Sequence, residues 1–196
     1  PLPEKAVFSL SDAAWETAEP FAVLAKAEGK TYTLNIEEKL TLYGEQGMIQ
    51  QMISILLDNA VKYSVESGEI RLDIYRRRGK VCIEVFNTCS LPHISDLYRL
   101  FDRFYRIDES RSSLTGGTGI GLSMAQAIAE AHGGRIEVRS EEGKRIFLTL
   151  EFYAFKDLSE ERVGAQSDSC KMRSCKKEKI EEIIYNINLI RREEQK

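Results

Sequence analysis

Gly116-Gly117-Thr118-Gly119-Ile120-Gly121-Leu122 runs straight into the apolar pattern Met124, Ala127, Ile128 and Ala131. The glycines at Gly117, Gly119 and Gly121 alternate, so the backbone there can take left-handed angles and approach a ligand with no Cβ in the way. Ser123 to His132 has helical periodicity, and the first turn of a helix offers unpaired N–H groups and a partial positive charge to an anion. The stretch therefore reads as a phosphate cradle opening a helix, although a flexible loop ahead of an ordinary helix fits the same letters. It is not a Walker loop, because no Gly-Lys-Ser/Thr closes it. Nor is it a dinucleotide fingerprint, because Ile107 to Thr115 is charged and polar and supplies no buried strand. The choice between cradle and loop has to come from the rest of the chain.

Outward from that run, two further helices and three strand pairs are legible. Gln46 to Tyr63 carries Met48, Ile49, Met52, Ile53, Leu56, Leu57, Ala60 and Val61 at spacings of three and four, a wide stripe that must be buried. Asp12 to Glu28 reads as another helix, with Ser11 as its N-cap, Ala14, Ala18, Phe21, Leu24 and Ala25 on one face, and Gly29 as its stop. Ile70, Leu72 and Ile74, then Val81, Ile83 and Val85, alternate with polar or small residues about Arg78-Gly79-Lys80, an antiparallel pair with one buried face. Arg135 to Ser140 and Arg145 to Phe152 repeat the device around Glu142-Gly143. Thr31 to Ile36 and Leu40 to Tyr43, joined by Glu37-Glu38-Lys39, read most simply as a hairpin. The fold class that follows is an α/β (α+β) two-layer sandwich: a mixed, mainly antiparallel sheet covered on one face by about three helices.

Composition bounds the function. With 196 residues, 42% hydrophobic and 30% charged, the chain has enough apolar material for a real core. A net charge of -3 and the lack of a basic arm before Tyr153 argue against a nucleic-acid binder. No apolar run is long enough to span a bilayer, and no signal peptide stands at Pro1; a start without Met suggests a piece of something longer. Cys82, Cys89, Cys170 and Cys175 have no framework spacing and read as reduced thiols of a cytosolic protein. After Tyr153 the pattern is lost, so the domain is assigned to residues 1–153 and a charged tail to 154–196, with an amphipathic helix over 179–192.

The chemistry gathers on the polar edge of the helix at Gln46 to Tyr63. Asp58, Asn59, Lys62 and Tyr63 sit there, and Asn59 and Lys62, three apart, are surface neighbours. They make either the plain solvated side of a helix or a site with an amide oxygen for a hard cation, an ammonium for phosphate and a carboxylate for proton work. Leu56-Leu57-Asp58-Asn59-Ala60-Val61-Lys62-Tyr63-Ser64 resembles the Asn box of sensor histidine kinases, in the superfamily that includes gyrase, Hsp90 and MutL. Leu100-Phe101-Asp102-Arg103-Phe104-Tyr105-Arg106 resembles their Phe box, and Gly117-x-Gly119-x-Gly121-Leu122 their second glycine box, in the same order along the chain.

That resemblance implies an ATP-binding catalytic domain of the Bergerat type. It gives Asn59 the Mg2+ that bridges the ATP phosphates, Lys62 and Arg106 the phosphates themselves, Tyr63 a place near the nucleotide, and Asp58 the role of orienting or deprotonating the acceptor histidine. Tyr105 to Gly117 would be a lid, and Tyr105, Gly117, Thr118, Gly119, Ile120, Gly121 and Leu122 would line the ATP site. The partners it implies are the dimerisation helices carrying the acceptor histidine, a response-regulator receiver domain, and a membrane-anchored homodimeric parent whose cytoplasmic part this is.

Two departures stand out. The family's first glycine box, Asp-x-Gly-x-Gly, falls on Asn87, Cys89 and Leu91. Asn87 can still accept a hydrogen bond from the adenine amino group, but as a neutral acceptor it costs about 1 kcal/mol of affinity, roughly five- to tenfold. A degenerate nucleotide-binding or docking module without kinase activity is the competing expectation. The second departure is the absence of an acceptor: His93 lies in the altered box and His132 at a helix end before Gly133-Gly134, both structural positions.

Overall fold

The computed structural model describes residues 5–90, 97–105 and 119–153. Along the chain run β1 (Ala6–Ser9), α1 (Leu10–Ala27), β2 (Thr31–Ile36), β3 (Thr41–Gly44), α2 (Gln46–Tyr63), β4 (Glu69–Arg77) and β5 (Lys80–Thr88). A 3-10 helix (Leu97–Phe101), α3 (Gly121–Ala131), β6 (Arg135–Glu141) and β7 (Arg145–Tyr153) follow. Five strands form a sheet in the order β2-β4-β5-β7-β6, with β2 parallel to β4 and the other pairs antiparallel. The three α-helices among the described residues lie on one face of it, as the stripes require. Leu10, Ile53, Leu56, Leu57, Ile70, Leu72, Ile74, Ile83 and Leu150, all fully buried, form the core between the layers.

The hairpin expected of Thr31–Ile36 and Leu40–Tyr43 does not form. β2 pairs in parallel with β4, Thr31 beside Glu69 and Ile36 beside Ile74, whereas β3 pairs with β1 in a separate two-stranded sheet. The cause is local. Ser11 is not the helix cap but a buried bracket: its Oγ donates to the Glu37 carbonyl at 2.7 Å and accepts from the Leu40 N–H at 2.9 Å. That holds the Glu37-Glu38-Lys39 turn against α1, and Leu40 is buried with it. The cap is Ser9, whose Oγ accepts from the Asp12 N–H, so α1 begins two residues earlier than expected. Leu24, expected on its buried face, is half exposed.

Turns between the remaining strands follow the sequence. Arg78 and Gly79 both have positive φ, the geometry of a two-residue turn whose twist suits a hairpin. The C-terminus of α2 is fixed by Lys30, whose Nζ donates to the Val61 carbonyl, and by the junction at Ser64 described next. The tail at 154–196, and with it the helix expected over 179–192, lies outside the described residues.

Candidate functional site

The buried stripe of α2 fixes where its polar edge points. Because Met52, Ile53, Leu56, Leu57, Ala60 and Val61 face the core, Asp58, Asn59, Lys62 and Tyr63 are left at the rim. Asn59 donates through Nδ2 to the Ile55 carbonyl at 2.8 Å, which leaves Oδ1 as the atom it can offer a ligand. Asp58 and Lys62 are committed to each other at 2.6 Å, one turn apart and both partly exposed. Such a pair is worth only about 0.3–0.5 kcal/mol and yields readily to a stronger anion.

The glycine run meets this rim. A Cβ placed on Gly121 would lie 3.4 Å from Asn59 Nδ2 and 3.3 Å from Ile55 Cγ2, so the backbone that opens α3 rests directly on the asparagine. Ile120 is the N-cap residue and offers no side-chain hydrogen bond, while the Ser123 hydroxyl donates backward to the Ile120 carbonyl at 2.8 Å. The N–H groups of the first turn, from Gly121 to Ser123, therefore have no partner within the helix and lie at the end of α3 that touches Asn59.

A stem joins the residues on either side of segment 106–118. Phe101 is buried and Leu97 and Leu100 pack on the core, anchoring the 3-10 helix. The chain then turns through Phe104, whose φ is 67°, and its N–H donates to the Gly119 carbonyl at 2.9 Å. Gly119 itself has φ 71°, and an added Cβ would sit 3.0 Å from the Phe104 backbone. The two edges of segment 106–118 are thus pinned together, with Tyr105 beside them under the Arg99 guanidinium at 4.5 Å. Arg106, Gly117 and Thr118 lie outside the described residues, as do Leu91 and His93.

A junction that sequence reading did not single out ties the end of α2 to the end of β5. Ser64, directly after α2, lies 3.3 Å from Thr88 Oγ1 at the end of β5, and the Val65 N–H donates to the Thr88 carbonyl. Gly68 fits under both hydroxyls, where any Cβ would collide with them. Asn59 is five residues, or about 7.5 Å of helix rise, back from Ser64, and Asn87 is the residue before Thr88. Asn87 is 4% exposed on the helix-facing side of β5, between Ile70 and Ile146 in register. Cys89 is a buried thiol, and its N–H donates to the Lys144 carbonyl, tying the strand end to the β6–β7 turn.

His132 is structural. Its Nε2 accepts from the Glu45 N–H at 3.1 Å and its Nδ1 lies 2.7 Å from the Ile128 carbonyl, so Nδ1 carries the proton and the ring bolts the end of α3 to the start of α2. Among the described residues no three His, Cys, Asp or Glu side chains cluster as a metal site. A hard cation at Asn59 would accordingly draw its remaining ligands from phosphate and water, the usual arrangement for Mg2+. The donor set fits a magnesium-bound triphosphate: one amide oxygen, a free helix N-terminus beside it and an ammonium within the same turn.

The sequence pattern of the histidine kinase-, DNA gyrase B- and HSP90-like ATPases matches residues 44–154, more than half of the chain. The chain belongs to this ATPase family. It is 38% identical over 117 residues to the sensor histidine kinase YkoH of Bacillus subtilis, a match covering 59% of this chain and 25% of that protein. To the sensor protein VanS of Enterococcus faecium it is 33% identical over 147 residues, 75% of this chain and 38% of the relative. The chain thus spans about a quarter to two-fifths of these relatives. In structure it resembles the nucleotide-free catalytic domain of histidine kinase ThkA, with a TM-score of 0.65 at 23% identity, covering 77% of this chain and 96% of that domain. Full-length ShkA in complex with AMPPNP gives the same score and identity, over 77% of this chain and 31% of that one. These structural likenesses establish the fold, and the family match establishes an ATPase domain of the histidine kinase-, DNA gyrase B- and HSP90-like kind.

Proposed function

We propose that this ATPase-family domain transfers the γ-phosphate of ATP to a histidine on dimerisation helices of the same full-length kinase, from which a response-regulator receiver domain takes it. The parent is read as a membrane-anchored homodimer with this domain on its cytoplasmic side, residues 1–153 forming the catalytic domain and 154–196 a tail. Asn59 would hold Mg2+ through Oδ1, and the ion would supply charge neutralisation at the phosphate oxygens. Lys62 and Arg106 would pair with phosphate, and the backbone from Gly117 through Thr118, Gly119, Ile120, Gly121 and Leu122 would donate to it. Tyr63 and Tyr105 would flank the nucleotide, Asn87 would accept from the base, and Asp58 would orient the acceptor histidine or take its proton. When phosphate draws Lys62 away, Asp58 loses its partner and gains the freedom that role needs.

The observation carrying the proposal is the contact between Gly121 and Asn59, which brings the start of α3 against the Asn59 amide across more than sixty residues of sequence, as a joint grip on a magnesium-bound phosphate would require. Isothermal titration with an ATP analogue and Mg2+ tests it: a saturable heat is expected, and none at millimolar nucleotide would leave only the docking-module alternative. Radiolabel from γ-labelled ATP should not appear on this chain alone, because His132 is locked between two backbone groups.

A further inference from the structure

Like charges set directly opposite one another on paired strands destabilise a sheet, yet the register puts Arg77 of β4 opposite Lys80 of β5. Arg78, in the turn between them, has a φ of 51°, a backbone angle that Asn or Gly adopts at less cost. Arg135 of β6 joins them, and the four side chains, with Glu151 of β7, line one open hollow of about 430 Å³. It lies on the sheet face away from the helices, because Val81, Ile136 and Leu150, the neighbours of Lys80, Arg135 and Glu151, point into the core. Glu151 gathers these cations without exhausting them. Its little-exposed carboxylate accepts from Lys80 at 2.8 Å, Arg135 at 2.9 Å and Arg77 at 3.2 Å, and Arg135 also meets Glu137 at 3.3 Å. Among the lining residues one negative charge thus stands against four positive ones. A guanidinium has five N–H donors, the side chains of Arg77 and Arg135 are more than half exposed, and among the described residues Arg78 pairs with no carboxylate. Tyr75 and Tyr153 flank the cluster, their rings 5.9 Å from the Arg77 guanidinium and 5.8 Å from the Lys80 ammonium.

We propose that this hollow is a binding site for a small polyphosphate anion, held by the guanidinium groups of Arg77, Arg78 and Arg135 and the Lys80 ammonium. Guanidinium forks match phosphate oxygens two at a time, and a lysine adds a point charge. The volume is that of a small-ligand site and holds more than one phosphate group. The extent of the basic field selects a compact anion over a nucleic acid or a membrane surface. One row along the same face, about 7 Å away, Asp73, Glu84 and Glu137 follow in register, a band that repels any polyanion long or flat enough to reach it. The glycine run and Asn59 lie on the helix side of the sheet, so this site does not depend on the nucleotide reading.

Tripolyphosphate titrated calorimetrically into the full chain without Mg2+ is the test. A saturable heat is expected, with Kd below about 1 mM at roughly 0.1 M salt. Arg78→Asn removes one cation while giving the turn a residue type that its left-handed angle favours. It should leave Tm equal or raised and weaken binding about five- to tenfold. Lys144→Gln removes the same charge from an exposed position at the other end of β7 and should leave the affinity as it is. An affinity untouched by Arg78→Asn, an equal loss in Lys144→Gln, or no saturable heat up to about 10 mM tripolyphosphate would overturn the proposal.

Discussion

Asn59 is a poor residue for the interior of a helix, since its side chain competes for backbone hydrogen bonds, and here it bonds the Ile55 carbonyl of its own helix. Replacing it with Ala gains intrinsic helix propensity of about 0.5 kcal/mol and removes a partly exposed amide from the rim. Asn59→Ala is thus expected to leave Tm equal or slightly raised while abolishing Mg2+-dependent nucleotide heat, a split that paired calorimetric scans and titrations detect. A structural asparagine would show the opposite, a lower Tm with binding intact. That this residue needs a partner is legible in the sequence, because an Asn in a helix interior breaks a local preference; the partner the structure shows is the Ile55 carbonyl. The pairing of Asp58 with Lys62 is equally legible from their spacing of four.

Among the elements, the helices and the β4–β5 and β6–β7 hairpins were legible because periodicity and turn residues report on the chain itself. The partner of a strand is not a local property. The pattern of β2 and β3 says that each has a buried side, but only the bracket at Ser11 and the parallel register with β4 show where they pair. The stem at Phe104 and Gly119 was hidden for the same reason, since it joins residues separated by segment 106–118. Its importance can be measured against Gly29, which shares the left-handed backbone but has nothing within 4 Å of an added Cβ. Gly29→Ala should cost about 1 kcal/mol of backbone strain and leave nucleotide affinity unchanged. Gly119→Ala adds crowding against the Phe104 backbone, and should lower Tm by about 3–8 °C and weaken ATP-analogue binding at least tenfold. Equal effects of the two substitutions on affinity would show that the stem does not shape the site.

At the scale of the whole molecule, the sheet face away from the helices is not the simple polar surface that alternation suggests. Arg71, Phe86, Phe147 and Arg139 stand in one cross-strand row, the rings 4.9 Å apart and each covered by a guanidinium, so Phe86 and Phe147 are buried on the open face. Two rows along, Glu151 receives Lys80 at 2.8 Å, Arg135 at 2.9 Å and Arg77 at 3.2 Å, a single carboxylate joining β4, β5 and β6 to its own strand β7. The Lys80 hydrogen bond, helped by those from Arg135 and Arg77 and opposed by burial, holds this carboxyl down to about 2 from an ordinary 4.5. A carboxyl with a depressed value in the fold contributes stability that is complete above its ordinary value and is lost as pH falls through the folded one. Glu151→Gln should therefore lower the urea midpoint by a constant amount from pH 7 down to about pH 5, and the gap to the unaltered chain should shrink steadily toward pH 2. A gap that stays constant across that acid range would mean the strands are joined by shape alone, with the charge on Glu151 contributing nothing.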